Sequence, residues 1–297
     1  MNTIVEPNKS ELVALCKSRG LKGYSNKNVA ELKAMLASGA VICKSPLRYP
    51  GGKTRAIKIL ESYIDKYYSG AKTLLSPFFG GGSFELFMLS KGYKVYGNDL
   101  FTPLYSFWKQ CGSGLPELVS AVRALMPVTK ERFQQLRTSI GNLKTQLEIA
   151  TAYYIINRCS FSGSTFCGGF SAEASTGRLN EASLKTLSEV KIDPITFSNL
   201  DYGAFLDLHP DGDDVVIYAD PPYFIDSYIY GKDGDLHEAF DHVKFSNKIK
   251  SRKNWMLSYN NCTYIRDLYK DCIIIDASWS YGMNSTKASS EIIIFPS

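Results

Sequence analysis

The chain has 297 residues, 44% of them hydrophobic and 21% charged, a composition that suits one large α/β domain with insertions or a small extra module. No stretch approaches about 18 uninterrupted apolar residues, and the N-terminus lacks the basic-then-apolar order of a signal peptide, so we expect a protein inside a cell, without membrane association. Seven cysteines without a Cys-x-x-Cys pair, and only three histidines, favour reduced thiols and argue against a metal site.

The net charge of +5 is concentrated at the front of the chain, because residues 1–45 account for +4 of it. Two short amphipathic helices are predicted there, over residues 10–20 and 28–36, around a Gly-Leu-Lys-Gly-Tyr-Ser turn. The pair resembles the SAP module, whose family binds nucleic acid, and implies such a module over residues 1–38. The alternative is a helical hairpin that only packs on the main domain, with a solvated basic surface. The basic residues proposed to contact DNA are Lys17, Arg19 and Lys22.

A βαβ unit is predicted next. A short strand from residue 73 runs into the glycines at 80–82, a helix covers residues 83–91, and a strand over 94–98 ends at Asp99. An acidic residue about 17 positions after the glycines suits a ribose, as in nucleoside-binding sites. The glycines do not follow Gly-x-Gly-x-x-Gly, which favours an adenosine cofactor without phosphates, and S-adenosylmethionine is the obvious candidate.

Residues 105–198 have a helical and irregular pattern, with amphipathic helices predicted over 115–125, 130–140 and 143–158. A loop rich in Gly, Ser and Phe follows, over residues 157–171. Aromatic rings among small polar residues and arginines suit contacts to bases and phosphates. A helical insertion that only covers the sheet would fit the same pattern.

The stretch Val-Val-Ile-Tyr-Ala-Asp-Pro-Pro-Tyr, residues 215–223, predicts a buried strand that stops at two prolines. Such a stop places the Asp220 carboxylate, the Pro221 carbonyl and the Tyr223 ring at the ligand-binding edge of an open α/β sheet. These groups suit a flat molecule that carries an NH₂ group. Asp201, at another strand end, either accepts from an adenine amine or caps the following helix. His237 and His242 are expected at the surface.

Five motifs together resemble the Dam-type adenine-specific DNA methyltransferases. In chain order they are Arg-Tyr-Pro-Gly-Gly-Lys from residue 48, Pro-Phe-Phe-Gly-Gly-Gly-Ser from 77, Asn-Asp from 98, Asn-Arg-Cys-Ser-Phe-Ser-Gly from 157, and Asp-Pro-Pro-Tyr from 220. The resemblance implies an α/β methyltransferase fold, with a mostly parallel sheet, an antiparallel last strand and helices on both faces. It also implies a catalytic domain over residues 45–104 and 200–297, interrupted by a helical target-recognition domain over 105–199.

The resemblance also assigns roles to single residues. The catalytic group is Asp220, Pro221, Pro222 and Tyr223. The cofactor residues are Tyr49, Gly51, Gly52, Lys53, Phe78, Gly80, Gly82, Asp99, Asp201 and Asp220. The DNA contacts in the insertion are Arg158, Phe161, Ser162 and Gly163. Many members have an acidic residue in place of Ser76 and tryptophan in place of Tyr49.

The implied reaction is methyl transfer from S-adenosylmethionine to the N6 amine of an adenine flipped out of double-stranded DNA. Alternatives are an N4-cytosine methyltransferase, an RNA or protein amine methyltransferase, or a catalytically silent DNA-binding protein. A single chain holds every part, so a monomer suffices. The expected location is the cytoplasm of a bacterium or phage host, or the host cytosol or nucleus if the chain is viral.

Overall fold

The computed structural model describes residues 7–18, 24–37, 44–224, 240–280 and 288–297. Arg19, Lys22, His237, Cys43 and most of the loop after the Asp-Pro-Pro-Tyr motif lie outside these ranges. Within them, no helix combines the length and apolar character needed to cross a membrane.

A mixed sheet of seven strands in the described ranges forms the centre of the molecule, in the order β3-β2-β1-β4-β5-β7-β6. β1, β2, β3, β4 and β5 are parallel to one another, whereas β7 is antiparallel to both β5 and β6. The predicted sheet class is therefore confirmed. The strands are β1 Thr73–Ser76, β2 Lys94–Asn98, β3 Thr196–Ser198, β4 Val215–Ala219, β5 Trp255–Asn260, β6 Ile273–Ser280 and β7 Ala288–Phe295.

Strand order reverses between β1 and β4. The chain runs outward from β1 through β2 to β3, then returns to the other side of β1 and continues outward through β5. Loops that leave the carboxyl ends of β1 and β4 therefore diverge to opposite sides and open a cleft between them. The glycine-rich motif and the Asp-Pro-Pro-Tyr motif both begin at this cleft.

Two N-terminal helices, α1 Lys9–Ser18 and α2 Val29–Ala37, pack on each other. The helices that follow are arranged on the two faces of the sheet: α3 Ile57–Tyr67, α4 Ser83–Ser90, α5 Thr102–Ser113, α6 Leu115–Ala124, α7 Lys130–Ser139, α8 Gln146–Cys159, α9 Ala172–Gly177, α10 Glu181–Ser188, α11 Tyr202–Leu208, α12 His242–Lys250 and α13 Thr263–Leu268. Short 3₁₀ turns occur at Lys53–Arg55, Ile140–Asn142, Phe161–Gly163 and Thr165–Cys167.

Alternate residues of each central strand enter two separate cores, as the two-residue period of a strand requires. In β4, Val216 and Tyr218 point to one core and Ile217 and Ala219 to the other. The first core contains residues of α3, α4 and every helix from α5 to α8, together with α10. The second contains residues of α11, α12 and α13. The helical insertion therefore covers one face of the sheet and shares its hydrophobic core.

Two sequence-based expectations are corrected here. Residues 102–113 form the regular helix α5, whereas the helices predicted in the helical and irregular region from residue 105 began only at residue 115. Leu104, Phe107, Trp108 and Cys111 are buried at helical spacing, and a proline in the first turn begins the helix. His242 is 8% exposed rather than at the surface, because its ring packs between α12 and β5 and hydrogen-bonds the Tyr259 hydroxyl at 2.7 Å.

The two N-terminal helices have a small core of their own. Leu12 and Cys16 of α1 pack against Leu32 of α2, with Tyr24 at the edge. Both helices begin with reciprocal caps. At the first, the Asn8 side chain accepts the Glu11 N–H and the Glu11 carboxylate accepts the Asn8 N–H; Asn28 and Glu31 form the same two bonds at the second. The helical hairpin predicted for this region is therefore present.

Candidate active site

A cavity of about 240 Å³ lies at the cleft between β1 and β4. The glycine-rich loop after β1, the end of β2 and the Asp-Pro-Pro-Tyr loop after β4 form its walls, together with the turn that precedes α3. All ten residues predicted to bind the cofactor are brought together here. Those that line the cavity are Tyr49, Gly51, Gly52, Lys53, Phe78, Gly80, Gly82, Asp99, Asp201 and Asp220.

The glycine-rich loop is built around the Tyr49 ring. A Cβ atom on Gly81 would lie 2.6 Å from the Cβ of Tyr49, and one on Gly82 would lie 2.4 Å from the Phe79 ring. Gly80 and Gly82 also have positive φ angles of 50° and 65°, which favour glycine. The loop therefore needs glycine both for its conformation and for the aromatic rings packed against it.

Asp99 fixes the same loop from the end of β2. Its Oδ2 accepts the Gly80 N–H at 3.0 Å, and its Oδ1 accepts the Phe101 N–H at 3.0 Å. Burial raises the pKa of Asp99 to about 6, while these two amides oppose the rise. From the insertion, the Trp108 indole donates to the Gly80 carbonyl at 2.9 Å. Each carboxylate oxygen still has a second lone pair with which to accept a ribose hydroxyl.

Lys53 and Asp220 form a buried ion pair. The Lys53 Nζ lies 2.6 Å from Asp220 Oδ2 and also donates to the Gly51 carbonyl at 2.9 Å, and the lysine is 4% exposed. On the other side, the Ser258 hydroxyl of β5 donates to Asp220 Oδ1 at 2.7 Å. Both carboxylate oxygens are thus held in position, which fixes the direction in which Asp220 can accept further hydrogen bonds.

Tyr223 is more enclosed than the sequence suggested. Its ring is 9% exposed, and its hydroxyl donates to Glu291 Oε2 in β7 at 2.7 Å. Lys53 Nζ lies 5.1 Å from the centre of this ring and 4.0 Å from the same Glu291 oxygen. Pro222 lines the cavity, whereas Pro221 is buried behind it. The Asp-Pro-Pro-Tyr loop is therefore anchored at both ends, at Asp220 and at Tyr223.

Asp201 caps α11, since its Oδ1 accepts the Gly203 N–H at 2.8 Å while the residue also faces the cavity. Of its two predicted roles, the structure therefore shows the cap. Phe78 packs beside it, with its ring 5.7 Å from that of Tyr202 and 5.3 Å from that of Phe245. Phe78, Tyr202 and Phe240 give this part of the cavity an aromatic lining.

The predicted DNA contacts differ in accessibility. The Arg158 guanidinium donates to the carbonyls of Arg178 and Pro46 and thereby links these two backbone segments. Burial lowers the pKa of Arg158. Phe161, by contrast, is 68% exposed. Lys17 is exposed on α1.

The loop that presents Phe161 is well fixed. Ser162 and Gly163 have φ angles of 53° and 72°, and a Cβ on Gly163 would lie 2.7 Å from the Cβ of Arg48. Asn157 of α8 accepts the Arg48 N–H at 3.0 Å and donates to the Arg48 carbonyl at 2.6 Å. Because Arg48 precedes Tyr49, this loop adjoins the cavity wall.

A model of the D12 class N6 adenine-specific DNA methyltransferases matches residues 49–283, which is most of the chain and includes the insertion. The chain belongs to this family. Curated proteins gave no significant match to the sequence. Among solved structures, magnesium protoporphyrin IX methyltransferase from Synechocystis PCC 6803 with bound S-adenosylmethionine aligns over 100% of both chains, at 12% identity and a TM-score of 0.35.

As a D12 class methyltransferase, the chain is an enzyme that acts on adenine in DNA and uses S-adenosylmethionine as its methyl donor. The cavity lining has the types of group that this cofactor requires. It includes aromatic rings, the Asp99 carboxylate for a ribose, and further carboxylates beyond the glycine-rich loop. Within the described residues, the groups that would hold it are Tyr49, Lys53, Phe78, Gly80, Gly82, Asp99 and Asp220.

Three polar residues of this D12 site were missed by the sequence analysis. Ser258 and Glu291 contact Asp220 and Tyr223 from β5 and β7, and Glu85 of α4 lines the cavity. Ser258 interrupts the apolar run of β5, and Glu291 directly precedes the apolar half of β7; both are buried, and a polar residue at such a position is the signal that marks them. Glu85 similarly interrupts the apolar side chains of α4.

We expect Tyr223→Phe to lower the free energy of unfolding by about 1.5–3 kcal/mol, because the Glu291 carboxylate loses a buried donor. Tyr68→Phe is the matched control: its hydroxyl donates at 2.6 Å to a neutral acceptor, the Trp255 carbonyl, so about 0.5–1.5 kcal/mol should be lost. Urea denaturation of both variants measures the difference. Equal losses would contradict a charge-assisted bond at Tyr223.

Proposed function

We propose that this D12 methyltransferase uses Asp220 and the Pro221 carbonyl to accept the two amine hydrogens of an adenine flipped out of double-stranded DNA. The observation that carries the proposal is the position of Asp220 at the carboxyl end of β4, where Lys53 and Ser258 hold its two oxygens at 2.6 and 2.7 Å. The lone pair of the exocyclic amine is delocalised into the ring, so the amine is a poor nucleophile. Two acceptors draw the nitrogen toward tetrahedral geometry and free that lone pair.

Bound S-adenosylmethionine supplies an electrophilic methyl group on a sulfonium. The residues proposed to orient it are those of the cavity wall, with Asp99 toward the ribose. The Lys53 ammonium keeps the Asp220 carboxylate aligned, and the Glu291 carboxylate keeps the Tyr223 ring against the loop. We assign to that ring the predicted contact with the flipped base. Fixed acceptors of this kind need no reorganisation during the reaction.

The domain organisation belongs to the same proposal. Residues 45–104 and 200–297 form the catalytic part, and 105–199 form the target-recognition insertion. Because the helices of the insertion are buried against the sheet, we assign them a supporting role, with Arg158 among the supports. The DNA contact is assigned to Phe161, Ser162 and Gly163, on the loop beside Arg48.

The N-terminal helices are proposed to act as a SAP-like module that binds the DNA backbone through Lys17, Arg19 and Lys22. The support is the compact two-helix core and the excess of basic residues in this region. A monomer remains our proposal for the protein in solution.

Asp220→Asn is expected to reduce methyl transfer to DNA at least about 10³-fold, because the amide keeps the shape of the carboxylate but lacks its charge. Cofactor binding should remain measurable. Labelled S-adenosylmethionine incubated with duplex DNA, followed by nucleoside analysis, gives both the rate and the product, N6-methyladenine or N4-methylcytosine. Asp207→Asn, at an exposed ion pair with Lys248, is the control and should keep full activity. Turnover retained in Asp220→Asn would overturn the mechanism.

Phe161→Ala should weaken binding to duplex DNA about 10- to 100-fold, the range expected for one lost contact between an aromatic ring and a base. The fold should be unaffected, since the ring is 68% exposed. Fluorescence anisotropy with labelled duplex measures the affinity. Leu208→Ala, at a residue with 66% exposure, is the matched control, and equal affinities of the two variants would remove Phe161 from the interface.

Replacing Lys17, Arg19 and Lys22 together by Gln should reduce the slope of log K against log [salt] by up to about 2.7, because each phosphate contact contributes about 0.9. The control replaces three lysines on α3 and after α4, namely Lys58, Lys66 and Lys91, and should leave the slope unchanged. An unchanged slope in the first variant would show that the N-terminal helices do not contact DNA.

A further inference from the structure

Glu85 lies in the first turn of α4 and is buried at 3% exposure, yet it lines the cavity. The residues around it in the helix, Phe84, Leu86, Phe87 and Met88, are buried and apolar. Burial of a carboxylate costs several kcal/mol unless a cation or several hydrogen bonds compensate it. An apolar residue would therefore serve the packing of α4 better than glutamate does.

Ser76, the last residue of β1, donates its hydroxyl to Glu85 Oε1 at 2.9 Å. The other four carboxylates of the described cavity lining have stronger engagements. Asp99 accepts two backbone amides, Asp220 pairs with Lys53, and Asp201 and Asp241 cap α11 and α12. Glu85 is thus the most buried carboxylate of the described lining, and it has no ion pair among the described residues.

The charged groups around Glu85 explain its state in the cavity. Burial is the main influence and raises the pKa of Glu85 to about 8, with a further rise from the Asp220 carboxylate. A hydrogen bond from backbone, the Ser76 hydroxyl and, least of the three, the Lys53 ammonium lower that pKa; the lysine donates its own hydrogen bonds to Asp220 and to the Gly51 carbonyl. The Tyr218 hydroxyl on β4 is bonded to Ser258. Glu85 is therefore largely protonated at neutral pH, and no cation contacts it in the part of the chain that the structure describes.

The order of the strands indicates which end of the cofactor would lie near Glu85. Asp99 follows β2, on one side of β1, whereas Asp220 follows β4, on the other side. With the ribose at Asp99 and the methyl group facing Asp220, the methionyl chain leaves the same sulfur as that methyl. In that arrangement the α-ammonium group would face the end of β1, where Ser76 bonds Glu85.

We propose that Glu85 binds the α-ammonium group of the cofactor and is ionised by that binding. The protonated carboxyl gives its proton to solvent, and the resulting carboxylate pairs with the ammonium, so one proton is released per ligand bound. This role rests on the cofactor site proposed above and adds to it a recognition residue for the amino-acid end. Ser76 is the positioning residue that orients the carboxylate.

Isothermal titration calorimetry tests the proposal without catalysis. S-adenosylhomocysteine, which carries the same ammonium, is titrated at pH 7 in phosphate and in Tris, and the difference in heat gives the protons released. The wild-type protein should release close to one proton, and its affinity should rise about tenfold per pH unit up to a pH of about 8. Glu85→Gln should release none and should bind about 10- to 100-fold more weakly, without this pH dependence.

5′-Methylthioadenosine is the matched control ligand because it lacks the amino-acid chain. It should bind wild type and Glu85→Gln equally and release no proton, and this equality also shows that the variant is folded. Ser76→Ala should keep the proton release and lose only part of the affinity. Unchanged affinity and proton release in Glu85→Gln would overturn the role of Glu85, whereas failure of both ligands to bind the wild-type protein would overturn the cofactor site itself.

Discussion

The ammonium group of Lys53 joins the parts of this site. A lysine at 4% exposure is stable only if its charge is compensated. Asp220 at the end of β4, Glu291 in β7 and the Gly51 carbonyl provide that compensation, and the Tyr223 ring covers one side. Removal of the ammonium would leave two buried carboxylates side by side. The segment before α3 is therefore tied to the Asp-Pro-Pro-Tyr loop by electrostatics as much as by packing.

The sheet topology brings these groups together. The order β3-β2-β1-β4-β5 places the ends of β1 and β4 side by side, although Lys53 and Asp220 are 167 residues apart in sequence. The insertion fills part of that interval and still contacts the site, since the Trp108 indole bonds the Gly80 carbonyl and Asn157 holds Arg48. The first core continues from the sheet into the insertion. The insertion and the walls of the cavity consequently belong to one packed unit.

The sequence predicted what depends on local pattern. Val-Val-Ile-Tyr-Ala before two prolines is a strand with a sharp end, and the glycines before α4 form the expected turn with positive φ angles. It did not predict pairings across the sheet, such as Tyr223 with Glu291 or Ser258 with Asp220, because spacing along the chain carries no information about which strands become neighbours. Arg158 shows the same limit. Its place beside a loop rich in Gly, Ser and Phe suggests a contact with DNA. In the structure its guanidinium donates to backbone carbonyls that are distant in sequence, and spacing along the chain does not predict such contacts.

The balance of buried charge explains why Glu85 differs from its neighbours. Among the described residues, Lys53 is the cation that approaches Asp220 and Glu291, while Glu85 lies deeper in the same wall, where burial disfavours its ionised form. Asp220 and Glu291 are the two that Lys53 approaches within 4.0 Å, and Glu85 has a hydroxyl instead. Burial is the main cause of the raised pKa of Glu85, and the Asp220 carboxylate adds to it. In the described lining of the cavity carboxylates outnumber cations, which favours a positively charged ligand, and a sulfonium donor that also carries an ammonium matches that preference.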